Sequence, residues 1–162
     1  MLDQVNDGMM DTAVFFVANA INLLLAGMFL ARVQGLGRLA KILGWSAVAL
    51  GLPVAVIALL NLLGGRAWWT VVLPALYVIY AFVQLLLDGI LKVDFRHSKL
   101  LGPYLGLYYL GLLGLMGYSF GVEKVYGFVT LGTYLVALAA TWYAYSRVGH
   151  GVAARREKEN LA

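Results

Sequence analysis

Five stretches of this chain carry no charged side chain for twenty residues or more, and they leave it little choice of fold. Between Asp11 and Arg32 lie 20 such residues, between Lys41 and Arg66 24, between Arg66 and Asp88 21, between Lys99 and Glu123 23, and between Lys124 and Arg147 22. About 20 apolar residues in a helix cross the hydrocarbon of a bilayer, so each stretch suits one crossing and none suits two. In lipid every backbone N–H and C=O must be satisfied within its own segment, which selects helices. The pattern predicts an all-α integral membrane protein, a bundle of five transmembrane helices at about 12–31, 42–65, 67–91, 100–122 and 125–146. The flanks read as an acidic tail (1–11) and a loose basic tail (147–162) of one transmembrane domain covering 1–162.

Only 12% of the residues are charged and mean hydropathy is +0.84, whereas a soluble domain carries about 25% charge. The net charge of +4 does not point to nucleic acid, because the bases stand in short clusters between apolar runs. The expected partner is the lipid bilayer. The absence of cysteine excludes disulfides, thiol redox chemistry and thiolate metal sites.

Those basic clusters also orient the chain. Ten of the twelve Lys and Arg fall on one side: Arg32, Arg38 and Lys41, then Lys92, Arg96 and Lys99, then the final tail. Only Arg66 and Lys124 fall on the other. The positive-inside rule then places the N-terminus outside and the C-terminus in the cytoplasm of a plasma or inner membrane. Ala18-Asn19-Ala20 resembles a signal-cleavage site, but the acidic leader and the apolar run beyond it argue against cleavage.

The third span carries the most informative polar pattern. Tyr80, Gln84, Asp88 and Lys92 follow at intervals of four and so share one helix face. Asn19 and Asn22 lie one turn apart in the first span. Polar groups are costly in lipid and should face protein or water, so Tyr80, Gln84, Asp88, Asn19 and Asn22 form a candidate intramembrane polar path. The plainer reading of the two asparagines is a hydrogen bond to a neighbouring helix. Thr130, Thr133, Tyr134, Thr141 and Tyr145 of the fifth span are expected to bond within their helix or across to the third. Pro53, in Gly51-Leu52-Pro53, should kink or unwind the second span. The tryptophans at 45, 68, 69 and 142 fall at interfacial depths. Asp3, Asp7 and Asp11 share a face that suits a solvated tail better than a cation site.

In the fourth span Gly102, Gly106, Gly111, Gly114, Gly117 and Gly121 make a candidate packing face, because small residues let helices approach closely. That face suits burial in the bundle, or contact with a second copy or a membrane-protein partner. Lys92, Asp94, Arg96, His97 and Lys99 are candidate contacts to lipid headgroups at the cytoplasmic rim, although topology alone would also require such charges.

Chemistry-bearing motifs are scarce. There is no HExxH, GxSxG or phosphate-binding glycine loop, and His97 and His150 stand at no metal-ligand spacing. No cofactor, metal or catalytic residue is expected, and the chain reads more as a non-enzyme than an enzyme. The leading expectation is passage of a small solute or ion along a polar path lined by the third span, in a homo-oligomer. The alternatives are an accessory or scaffolding subunit of a membrane complex, and a membrane enzyme acting on headgroups through Asp94, Arg96 and His97.

Overall fold

The five uncharged stretches are helices in the computed structural model. It describes the backbone over residues 2–91 and 101–160 and side chains over 7–91 and 102–147, with no strand among these residues. The first span is α1 (Leu2–Val33). The second is divided into α2 (Gly37–Ala49) and α3 (Gly51–Leu63), and the third is α4 (Trp69–Gln84) followed by a π-helical turn (Leu85–Ile90). The fourth and fifth are α5 (Leu101–Val122) and α6 (Lys124–Asn160). Among the described residues five helical stretches are long and apolar enough to cross a membrane.

Both tails depart from the sequence expectation. Helix α1 already begins at Leu2, and acidic residues in its opening turns favour the positive end of the helix dipole. Helix α6 runs on to Asn160 through an Ala-, Arg-, Glu- and Lys-rich segment of good helix formers.

The expected interruption in the second span falls at Leu50. Pro53 offers no N–H to the Ala49 carbonyl, and the next bond, Val54 N–H to Leu50 O, is stretched to 3.5 Å. In the third span the π-helical turn closes with a bond from Leu91 N to Leu86 O at 2.8 Å. Straight apolar periodicity gives no hint of that wider turn.

Helix α1 packs against α2 and α6, α5 joins α6 to α4, and α4 packs on α3, so the spans close into a ring. The core follows helical spacing: Val14, Ala18, Ile21 and Leu25 on α1, Leu112, Leu115 and Tyr118 on α5, and Ala137, Ala140 and Ala144 on α6. Opposite faces carry exposed Phe16, Leu23, Leu52, Leu63, Phe128 and Trp142. Helices apolar inside and out match a lipid surrounding, since water tolerates no such surface over a whole bundle.

The α4–α5 contact explains part of the glycine pattern. A Cβ on Gly114 would collide with the Leu73 carbonyl oxygen, and one on Gly111 would stand 3.1 Å from the Tyr77 Cα. Gly117 faces Leu73 at ordinary contact distance, and Gly121 lies against the Trp69 ring. Gly102 and Gly106 have open space beside them. The glycine face is thus divided: four positions lie against α4 and two face outward.

Candidate functional site

Three polar clusters occupy different parts of the bundle, and one of them opens into a cavity. The cavity, about 660 Å³, lies at the Arg32 end between α1, α2 and the π-helical turn. Its polar lining is Arg32 from α1, Lys41 from α2, and Gln84 and Asp88 from the third span. Small residues keep it open: Gly37, Ala40 and Gly44 on α2 and Gly89 on the π-helical turn. A Cβ on Gly89 would stand 3.0 Å from the Trp45 ring, so the turn carrying Asp88 can approach α2 closely.

From the cavity a hydrogen-bonded chain reaches into the bundle. Gln84 Nε2 donates to Asp88 Oδ2 at 2.5 Å, the Tyr104 hydroxyl donates to Gln84 Oε1, and the Tyr80 and Tyr104 hydroxyls lie 3.4 Å apart. Tyr80 is where this chain stops. Its ring packs 5.6 Å from Tyr77 and 5.3 Å from Tyr108, centroid to centroid, and all three are buried. Among the described residues neither Arg32 nor Lys41 is paired with a carboxylate. Arg32 instead lies over the Phe29 ring, 5.5 Å from its centroid.

The second cluster stands at the opposite end, and sequence reading missed it. Arg66 grips Asp11 with two parallel bonds, Nη1 to Oδ1 at 3.0 Å and Nη2 to Oδ2 at 2.9 Å, and Asp7 approaches its Nε at 3.6 Å. Arg66 Nη1 also donates to Asn61 Oδ1 at 2.9 Å, and the Tyr118 hydroxyl donates to Asp11 Oδ1 at 2.5 Å. The Arg66 and Asp11 side chains are only 17% and 14% exposed, so solvent screens the pair little. The Asp11 hydrogen bond leads in raising the Arg66 pKa above its ordinary value, against the lowering effect of burial. Asp11 is therefore a partner of a guanidinium and not part of a solvated tail, while Asp7 lies at its edge and stays half-exposed. The available signal was a lone base and a run of acids at one predicted depth.

Asn61 completes this cluster through a backbone defect. Pro74, inside α4, has no N–H for the Thr70 carbonyl. Asn61 Nδ2 donates to that carbonyl at 3.0 Å. A proline on one span and an asparagine on another thus answer each other.

Asn19 and Asn22 belong to a third cluster. Asn19 Nδ2 donates to Thr130 Oγ1 at 3.2 Å, and Thr133 Oγ1 donates to Asn19 Oδ1 at 2.8 Å. Asn22 Nδ2 reaches Thr133 Oγ1 at 3.0 Å, and Thr130 donates on to Ser119 at 3.1 Å. Thr130 and Thr133 thus bond towards α1 and α5 and not across to the third span, while the expected bonds within the helix are present from Thr133 to Thr130 O and from Thr141 to Ala137 O. Asn19 and Asn22 bond at the α1–α6 contact, whereas Tyr80, Gln84 and Asp88 are linked through Tyr104. Among the described residues every buried polar side-chain atom has a partner.

The expected headgroup contacts Lys92, Asp94, Arg96, His97 and Lys99 lie outside the described residues. No group of acidic, histidine or cysteine residues among the described ones could hold a metal ion. No protein-family model, curated protein or solved structure matches this chain.

Proposed function

We propose that this chain is a multi-pass membrane protein that passes a small charged solute or ion, with the Arg32–Lys41 end in the cytoplasm and the Asp11–Arg66 end outside. The observation that carries this reading is the cavity bounded by Asp88 and Gln84, with Arg32 and Lys41 across it, neither of them paired with a carboxylate among the described residues. A cavity of that size holds a small solute with its hydration water, and the mixed charges suit an anion or a zwitterion. The arrangement resembles an inward-open state. Tyr77, Tyr80 and Tyr108 fill the bundle beyond the cavity, and the Asp11–Arg66 cluster ties α1, the α3–α4 connection and α5 at the far end.

The moving part in this reading is α2. It forms one wall of the cavity, and the break at Leu50 separates it from α3. Across from it the π-helical turn separates Asp88 from the regular part of the third span. Backbone irregularities of this kind are where helices bend at low cost. The accessory-subunit reading retains Gly102 and Gly106, whose open flank would admit another helix; most of the glycine face is already used against α4.

Water access to the cavity tests the reading directly, because the natural chain has no cysteine. Val48→Cys, half-buried on the cavity wall, should react with a negatively charged methanethiosulfonate in proteoliposomes. Ala137→Cys, buried in the core, should stay unmodified. An inert Val48→Cys would mean the space is dry or filled by lipid, and the proposed passage would lose its carrying observation.

A further inference from the structure

The outward face of α2 bears a second feature, independent of the carrier reading. Arg38, Lys41, Ile42, Trp45, Ser46 and Ala49 recur at spacings of three and one, so they share one helix face, and a groove of about 710 Å³ runs along it. Arg38 and Lys41 are exposed and, among the described residues, pair with no carboxylate. Trp45 lies one turn deeper, its ring held against Gly89. Ile42 and Ala49 are exposed and apolar, and beyond them the surface of α3 continues with exposed Leu52, Val56 and Leu59.

The chemical order along this face is cation, cation, interfacial aromatic and hydroxyl, then hydrocarbon. A phospholipid presents the matching order of phosphate, glycerol ester and acyl chain. The two cations also stand in the opening turns of α2, where no acidic residue answers the positive end of the helix. An anion bound there would offset that local repulsion. We infer that the α2 face is a binding site for one anionic phospholipid, its phosphate held by Arg38 and Lys41 and its glycerol region lying on Trp45 and Ser46. Lys41 and Trp45 also line the cavity, so an occupied lipid site would hold α2 in place beside Asp88.

Native mass spectrometry of the detergent-solubilised full chain, titrated with phosphatidylglycerol or phosphatidylcholine, tests this. Arg38 lines the groove and not the cavity, so Arg38→Gln probes the lipid site without touching the proposed solute site. Phosphatidylglycerol should be retained in preference to phosphatidylcholine, and Arg38→Gln should weaken its retention about fivefold. Arg38→Lys should restore most of the binding. Arg147→Gln, which removes an exposed base on α6, should leave it unchanged. Millimolar inorganic phosphate should not displace the lipid, because the acyl contacts are lacking. Equal retention of the two lipids, equal loss in the Arg38 and Arg147 variants, or displacement by free phosphate would each overturn the assignment.

Discussion

Arg66 shows how one residue can hold the end of a membrane bundle together. Two of its five N–H donors meet Asp11 in a parallel pair and a third goes to Asn61. Removing it as Arg66→Met strands a largely buried carboxylate and an amide, and the expected cost is about 3–5 kcal/mol of stability. Thermal unfolding in detergent would show it, and an unchanged midpoint would mean the pair is solvated. Because the Arg66 pKa is raised, its charge contributes at every pH below its ordinary value and is lost only as pH rises through the higher folded one. The cation therefore persists throughout the neutral and mildly alkaline range. Asn61 and Pro74 make a sharper pair. Asn61→Leu leaves the Thr70 carbonyl unanswered, at about 1–3 kcal/mol. Adding Pro74→Ala returns an N–H to that carbonyl and should recover part of the loss. Additive destabilisation by the two changes would contradict the proposed compensation. Beyond the shared depth of Arg66 and the N-terminal acids, little of this was legible beforehand, since sequence spacing relates residues on one helix and this cluster draws on several elements.

At the scale of elements, the glycines of α5 separate into positions that are filled from outside and positions that are not. Gly114→Ala drives a methyl into the Leu73 carbonyl and should cost about 1–3 kcal/mol through forced separation of α4 and α5. Gly106→Ala meets open space, and better helix propensity should leave it neutral or stabilised by up to about 1 kcal/mol. Equal thermal shifts for the two would show that α5 does not pack as described. The sequence pattern identified the glycine face but could not divide it, because which glycines meet α4 depends on the crossing of the two helices. Pro53 announced the break in the second span through its missing donor. The π-helical turn had no such signal, and with it the placement of Asp88 towards α2 stayed hidden.

For the whole molecule, length and charge made the helical bundle readable, because lipid imposes one solution on runs of this size. The plainer expectation for Asn19 and Asn22, a hydrogen bond to a neighbouring helix, is met, but their partners Thr130 and Thr133 were not readable, because spacing along one helix does not say which helix lies beside it. Orientation belongs to this scale as well. Gln34→Cys and Lys124→Cys occupy exposed positions at opposite ends, and only the second should react with an impermeant reagent added to intact cells. The reverse result would invert the proposed topology. Flux through purified protein bears most directly on the central claim that solute passes by way of Asp88. Proteoliposomes challenged with chloride (read by a halide-quenched dye), radiolabelled glycine (read by filtration) or protons (read by a pH-sensitive dye) should show movement above empty vesicles. Asp88→Asn should reduce it about tenfold or more while the unfolding midpoint stays within a few degrees. No movement of any of the three, or equal flux through Asp88→Asn and the natural chain, would contradict the account.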